Sequence, residues 1–531
     1  MCMNKKENTS EYKTSLLEQL QYRVTEKIIE KSNADLLSKL IINAETDDEA
    51  DKIFQLGNMW KRTGLFYDVR LEELKGNEIK YLKKNEELSF DQGGIHHKLI
   101  IGDNYDALQN LLIQYKGQID VIYIDPPYGS NNMGEFAETN YNNNITRDNL
   151  LSMLEPRLRL AKDLLSEDGV ILCSIDDKNH SYIKCLMDNI FRETNFVATI
   201  PWRKRTAKSD VPFGVSQDYE WILIYAKSEL FKASVKGKER RYYETPDFPG
   251  RPWRIHDMTK QTTALERPNS FFTMINPKTG EEYPANPNRT WRITKDTFKK
   301  YYENNEIIFP GDYDFLNISK PVARYFKDKD IEKDGENFGY VAMSTKLPEE
   351  VGMSQDGTKE MKQIFSGDIP FSFPKNSNLM KHLIEACSTK DSIVLDFFAG
   401  SGTTGHGVLK LNKEDGGERQ FIVCTNNEIT AANPSGVALD VTSKRLKRIM
   451  TGECYDGTND FEWLENNDPY GDSLDVYDIE SVSATEQEEG KTPFDVIDEE
   501  CYGLKFDNTQ DKIKWVCENF EKTQKYLEEK E

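Results

Sequence analysis

The residues in this chain best suited to chemistry are Asp125, Pro126, Pro127 and Tyr128. Within four positions they offer a carboxylate, a carbonyl held between two rigid rings, and an aromatic face. An exocyclic amine on a flat heterocycle needs such a set: acceptors for its two N–H groups and a ring to stack on. Asp125 and the Pro126 carbonyl can accept, and Tyr128 can stack. The same four residues also have a plainer reading, a turn that ends a strand, because short motifs carry a real false-positive risk.

The run Ile119–Ile124 (IDVIYI) must position this loop. It is apolar and β-branched enough to form a buried strand. Two prolines stop it, because proline gives no N–H to a sheet ladder. Asp125 then stands on the carboxyl edge, where open parallel sheets bind ligands. A second strand is expected over Ser392–Phe398 (SIVLDFF), carrying Asp396. The turn Ala399-Gly400-Ser401-Gly402-Thr403-Thr404 follows, and then a helical pattern. Its glycines let the backbone approach a ligand, and the helix start offers free N–H groups. Phe398, Ala399, Gly400, Ser401, Gly402 and Thr403 are thus candidate cofactor contacts, although such a turn alone serves a dinucleotide equally well.

Helix and strand patterns alternate around these two motifs, which predicts a doubly wound α/β sheet. Lys98–Asn104 reads as a strand ending at Gly102-Asp103, where Asp103 is a favoured residue to cap the next helix. Strands follow over Val170–Ile175, Phe196–Trp202 and Tyr219–Ala226. Asp176 and Asp177 close the first of these and favour a capping role. Trp202 suits a core or an aromatic pocket equally. Phe421–Cys424 is the strand after the glycine turn, and Glu428 beyond it is the candidate for ribose hydroxyls, with Asn426 and Asn427 as rivals. Val441–Met450 reads as an amphipathic basic helix packed on the sheet.

Five regions follow: a mainly helical segment over 1–95, a catalytic half over 96–227, an insertion over 228–355, a cofactor half over 356–450 and an acidic extension over 451–531. In the insertion the alternation gives way to short segments rich in Pro, Gly, Asn and Thr, with aromatic and basic residues interleaved. Residues 452–500 read as loop-rich or partly disordered, and 509–529 as a final helix.

The net charge is −22 over 531 residues. Residues 451–500 carry −16 of it and residues 501–531 carry −1, so residues 1–450 carry only −5. A nucleic-acid surface needs a local basic groove, not a basic whole, and Arg203-Lys204-Arg205 with Lys208 is one such stretch. The eight cysteines include no C-x-x-C pair, which fits reduced thiols of a cytoplasmic protein. The six histidines show no metal-ligand spacing, so no metal site is expected. The polar N-terminus is no signal peptide, and no stretch approaches 18 consecutive apolar residues, so no membrane span is expected.

Taken together, Asp125–Tyr128 and Phe398-x-Gly400-x-Gly402 resemble the amino-methyltransferases that modify DNA with S-adenosyl-L-methionine. The catalytic motif precedes the cofactor motif, as in the β group of these enzymes. The blocks IDVIYIDPPYGS, RDNLLSMLEPRLRLAKDLLSEDGVILCSIDDKNH and IVLDFFAGSGTTGHGVLKLNKEDGGERQFIV look like the modification subunit of type III restriction systems. That resemblance implies a Rossmann-like methyltransferase fold with permuted motif order. It implies methylation of adenine N6 in double-stranded DNA after base flipping, because cytosine N4 enzymes more often begin the motif with serine. It also implies a homodimer, a restriction partner with helicase and nuclease activity, and target recognition by the insertion. Asp103 would lie by the cofactor's adenine. Lys375 would lie near its methionine end, although Asn376 stands where the family usually has a second proline. Gly134–Asn144 would be a mobile segment near the target base. Alternatives are a stand-alone adenine N6 or cytosine N4 enzyme, an RNA methyltransferase, a catalytically silent DNA-binding protein and, least favoured, a nicotinamide oxidoreductase.

Overall fold

The computed structural model describes residues 10–25, 29, 31–56, 78–128, 147–206, 212–335 and 338–483. Segment 134–144, Lys208 and the helix expected over 509–529 lie outside the described residues.

Nine strands form the main sheet: β1 (Glu78–Lys84), β2 (His96–Ile101), β3 (Ile119–Ile124), β4 (Leu165–Ile175), β5 (Phe196–Arg203), β6 (Tyr219–Ala226), β7 (Ile393–Asp396), β8 (Gln420–Thr425) and β9 (Ser473–Ser483). Their spatial order is β1-β9-β2-β8-β7-β3-β4-β6-β5. From β9 through β4 the six inner strands run parallel. Strand β6 is antiparallel to β4, β5 is antiparallel to β6, and β1 is antiparallel to β9. The late strands β7 and β8 thus lie between the early strands β2 and β3. This is the permuted order expected from the two motifs.

Both faces of the inner strands are buried, which is why they read as near-continuous apolar runs. Ile122, Ile124, Ile171, Cys173, Leu395, Ile422 and Cys424 join one apolar cluster. Helices α4 (Asn104–Tyr115), α5 (Arg147–Leu164) and α6 (His180–Phe191), which follow α1–α3 in the chain, contribute to that cluster. The alternate residues Val121, Tyr123, Val394, Phe421 and Val423 are buried too. After α7 (Ser354–Ile364) and α8 (Ser377–Cys387) comes α9 (Thr403–Asp415), whose Gly405 lies against the Phe421 ring. Helices thus cover both faces, and the sheet is doubly wound.

Strand β9 departs from the loop-rich reading of residues 452–500. The net acidity there hides apolar residues that a strand can bury. Leu474 and Val476 are buried, while Asp475 pairs with Lys84 at 2.9 Å and His96 at 3.1 Å, and Asp478 accepts from Asn85 at 2.7 Å. Both carboxylates find partners distant in sequence, which composition alone does not show. The basic helix expected over Val441–Met450 is also different in kind. It is a π-helical turn (Ala438–Ser443) followed by α10 (Lys444–Thr451), and Arg445 points into the protein, fully buried.

The three N-terminal helices α1 (Glu11–Thr25), α2 (Lys31–Asn43) and α3 (Asp47–Leu56) share an apolar cluster of Leu16, Leu20, Ile41, Ala44, Ala50 and Phe54. Residues Ser234–Met343 form a separate compact unit. Its four-stranded antiparallel sheet orders Ile307–Ile308, Val322–Phe326, Phe248–Asp257 and Tyr243–Thr245. Trp253, Ile308, Val322 and Phe326 make one core of this unit, and Met258, Met274, Trp291 and Phe309 belong to another.

Candidate active site

Strands β3 and β7 are neighbours, paired through Val121–Val394 and Ile122–Leu395. From β3 the chain crosses to β4 on one side, and from β7 to β8 on the other. The gap beyond their carboxyl ends is therefore the topological switch point of the sheet, the usual ligand position in such folds. Two connected cavities occupy it, sharing Asp125, Phe371, Phe398 and Gly400 in their walls. The larger has a volume of about 210 Å³, below the roughly 300–1,000 Å³ of most small-molecule sites.

Asp125 is the first residue beyond β3, held by its neighbours. The Tyr128 hydroxyl donates to Asp125 Oδ1 at 2.7 Å, and the Lys375 ammonium lies 3.0 Å from Oδ2. Lys375 also donates to Tyr128 Oη and to Glu220 Oε2, each at 2.9 Å. Asn179 donates to the Tyr128 carbonyl at 2.6 Å and to Asp176 at 2.9 Å, fixing the end of the loop. Burial pushes the Asp125 carboxyl above its ordinary value; Lys375 opposes this and Glu220 adds to it. Burial pulls the Lys375 ammonium down, but Asp125 and Glu220 outweigh it and hold the group protonated.

Asn376 explains how Lys375 is aimed. Its side chain caps α8 by accepting from Leu379 N at 2.8 Å, and it donates to the Met353 carbonyl at 3.2 Å. Asparagine is a favoured cap, so the departure from a second proline supplies the helix start directly. Trp202 is core: its Nε1 donates to the Gly352 carbonyl at 2.9 Å, and its ring flanks the Lys375 ammonium at 5.5 Å. Asp177 accepts from Trp221, and Asp176 accepts from the N–H of Asn179, the residue before α6.

The glycine turn forms the opposite wall. Gly400 has φ +48°, and a Cβ there would come 2.9 Å from the Phe371 ring. The turn is braced from below. Thr442 donates to the Gly400 carbonyl at 2.5 Å, and Arg445 donates to Ser401 Oγ at 3.2 Å and Thr403 Oγ1 at 2.8 Å. The hydroxyls of Ser401 and Thr403 are therefore engaged by Arg445, while Gly402 takes the positive φ at the start of α9. Asp396 accepts from Phe398 N at 2.9 Å and Thr404 Oγ1 at 2.5 Å. Its burial pushes its carboxyl up to about 7 despite those bonds.

Of the candidates named from sequence, Asp125, Pro127, Lys375, Asp396, Phe398, Ala399, Gly400, Ser401, Thr403 and Glu428 line these cavities. Pro126 is buried beneath the loop. Glu428 is half-buried and raised above its usual value by that burial, and Asn426 lies beside it in the same wall. Asn427 instead binds the Ser435 carbonyl. Asp103 is turned to the helix it precedes: it accepts from Tyr105 N at 2.7 Å and pairs with Arg157 at 2.9 Å. Its neighbours Gly102 and Asn104 line the cavity, and Asn104 donates to the Phe397 carbonyl at 2.8 Å. Sequence reasoning missed Glu220, Phe371 and Asn104. A lone carboxylate inside the apolar run YEWILIYA was the signal for Glu220.

Among the described residues no group of three or more His, Cys, Asp or Glu is arranged to hold a metal, and no helix is long and apolar enough to cross a membrane. A family model described as DNA methylase matches residues 119–432. A second model, of an uncharacterised conserved protein, matches residues 4–121. The type III restriction-modification enzyme StyLTI Mod subunit of Salmonella typhimurium is 30% identical over 390 residues, 67% of this chain and 57% of that protein. The EcoPI Mod subunit of Escherichia phage P1 is 28% identical over 411 residues, 66% of this chain and 62% of that one. The type II methyltransferase M.KpnI of Klebsiella pneumoniae is 28% identical over 387 residues, 66% and 87% of the two chains. The chain thus spans less than two thirds of the length of these two Mod subunits. Among solved structures, TTHA0409 of Thermus thermophilus, complexed with S-adenosyl-L-methionine, aligns at TM-score 0.30 and 15% identity, over 72% of this chain and 99% of that one. The model covering residues 119–432 spans more than half of the sequence and includes both walls of the cleft, so the chain belongs to the DNA methylase family.

Proposed function

We propose that this chain transfers a methyl group from S-adenosyl-L-methionine to adenine N6 in double-stranded DNA, as the modification and recognition subunit of a type III restriction-modification system. One observation carries the reading: the Asp125–Tyr128 loop and the Gly400 turn face each other across a single cleft at the switch point of the sheet.

The cleft residues fit the cofactor. Gly400 leaves space that a Cβ would fill, and Glu428 presents a half-buried carboxylate suited to hydroxyl donors. Phe398, Phe371, Gly400, Asn426 and Glu428 would hold the cofactor, which when bound supplies a methyl group on a sulfonium. The flipped base costs a few kcal/mol to extrude. Tyr128 stacks on it, while Asp125 and the Pro126 carbonyl accept the N6 hydrogens and direct the nitrogen lone pair into the cleft. These residues act by positioning and by complementing the positive charge that develops on the amine. The 234–343 unit, rich in aromatic and basic residues, would read the target sequence. Double-stranded DNA, a second copy of the chain and a restriction subunit are the partners of this reading, and its setting is the cytoplasm.

Single-molecule sequencing of DNA from a methylation-deficient host expressing the chain tests it. N6-methyladenine in one short asymmetric sequence on one strand is the expected result. A palindromic site would keep the chemistry and remove the type III assignment, and N4-methylcytosine would overturn the choice of base. Asp125→Ala should abolish transfer while cofactor binding persists, and an active Asp125→Ala protein would refute the role of Asp125.

A further inference from the structure

We infer that Glu220 is a positioning residue for methyl transfer, taking up the Lys375 ammonium so that Asp125 can receive the target amine. This rests on the function proposed above.

An ammonium has three N–H donors. Those of Lys375 meet Asp125 Oδ2 at 3.0 Å, Tyr128 Oη at 2.9 Å and Glu220 Oε2 at 2.9 Å. The Tyr128 hydroxyl in turn donates to Asp125 Oδ1 at 2.7 Å and lies 3.4 Å from Glu220 Oε2. Both oxygens of Asp125 are therefore engaged. An amine that donates to Asp125 must displace or share one of these contacts. Glu220 is a second carboxylate within reach of both displaced donors, and its side chain is only 12% exposed. Lys204 stands 3.8 Å from its other oxygen, Oε1, and fixes the carboxylate from that side.

Charge points the same way. The target nitrogen becomes positive during transfer, so an ammonium shared only with Asp125 would oppose it. With Glu220 present, Lys375 has a carboxylate of its own, and Asp125 keeps its charge for the amine. Position supports this too: Glu220 pairs with Trp202 across β5 and β6, and its neighbour Trp221 pairs with Ile175, the last residue of β4. A carboxylate in this largely buried strand is costly unless it has partners, and its partners here are Lys375, Lys204 and Tyr128 of the reactive loop.

The test uses the full chain, plasmid DNA from a methylation-deficient host and tritiated S-adenosyl-L-methionine. Glu220→Gln, Glu220→Asp, Lys375→Met and the double variant Glu220→Gln/Lys375→Met are compared for methyl transfer, cofactor affinity and melting temperature. Glu220→Gln should lower kcat roughly 10- to 100-fold, the range of a lost positioning or electrostatic group, while cofactor Kd and KM for DNA stay near wild type. Glu220→Asp, which keeps the charge, should recover much of the rate. In the Lys375→Met background Glu220→Gln should cause no further loss of rate, because the ammonium it takes up is gone. The inference is overturned by an unchanged kcat in Glu220→Gln, by an equal loss in Glu220→Asp, or by a full additional loss in the double variant. A wild-type protein that methylates neither adenine nor cytosine refutes instead the function on which the inference rests.

Discussion

Replacing Lys375 by methionine should move the acid limb of the rate profile to higher pH. The ammonium sits 3.0 Å from Asp125 Oδ2. At an effective dielectric near 20 this attraction is about 5 kcal/mol. That is a ceiling, because Asp125 is 29% exposed and water would replace part of what is lost. Removing a neighbouring cation moves a carboxyl upward by roughly one to three pH units, and the acid limb of the rate profile should move by that amount. The direction is fixed: the cation favours the ionised form, so without it Asp125 binds a proton more tightly, and a protonated Asp125 presents one acceptor fewer to the amine. Glu220 strengthens the effect, because the two carboxylates then face each other with no ammonium between them, Lys204 standing 3.8 Å away on the Oε1 side of Glu220. On the acid limb Lys375→Met should be slower than wild type, and its rate should climb toward a plateau as pH rises. Single-turnover transfer to duplex DNA between pH 6 and 9.5, at saturating cofactor, measures it. Stability carries the same sign. Carboxyls raised in the folded state bind protons that the unfolded chain has released, so the variant's melting temperature should fall as pH rises. Parallel rate profiles for wild type and variant, or a loss that no pH restores, would refute the electrostatic account of Lys375.

Other expected outcomes are equally direct. Gly400→Ala places a Cβ 2.9 Å from the Phe371 ring at φ +48°, so cofactor Kd should rise roughly 5- to 30-fold for a cost of about 1–2 kcal/mol, measured by titration calorimetry. Gly357→Ala in α7 would bring a Cβ within 2.3 Å of the Pro374 carbonyl; the 374–376 backbone must retreat, taking Lys375 with it, and a fall in both melting temperature and kcat is expected. Burial holds the His406 imidazole neutral, pulling it down to about 3, whereas an unfolded imidazole takes up a proton below about 6.5. Stability should therefore drop as pH falls from 6.5 toward 3, by about 2 kcal/mol at pH 5 from this group, and His406→Gln should flatten that slope in urea titrations. Asn376→Ala removes the cap of α8 and should cost about 1 kcal/mol, read by the same titrations.

Much of the site could be read from the chain because its two motifs end strands whose character is local. IDVIYI and SIVLDFF are buried on both faces, so their apolar runs are nearly continuous and their ends are marked by prolines or glycines. The family resemblance then supplied the chemistry. What could not be read depends on pairings between residues far apart in sequence. Asp475 and Asp478 look like part of an acidic tail until Lys84, His96 and Asn85 are placed beside them. Arg445 looks like the basic face of an amphipathic helix, yet it is fully buried and donates to Ser401, Thr403 and Glu360. Glu220 lies in strand β6, 92 positions from Tyr128 and 155 from Lys375. Its role follows from strand order, and no sequence pattern places β6 beside β4. Asp103 allowed two readings on one residue, and the geometry shows it capping α4 while Gly102 and Asn104 take the cavity wall.

The placement of β7 and β8 between β2 and β3 bears on how the protein is made. Strands β2 and β3 leave the ribosome early, yet the partners that join them lie beyond residue 392. Until residues 393–425 emerge, each has an unpaired inner edge, the kind of surface that templates wrong pairing. A chain stalled before that point holds the Asp125–Tyr128 loop but lacks the glycine turn and, if it stops before 375, the lysine as well. Completion of the cavity beside the Asp125–Tyr128 loop is thereby tied to synthesis of the opposite wall, and a half-synthesised chain holds only one side of it.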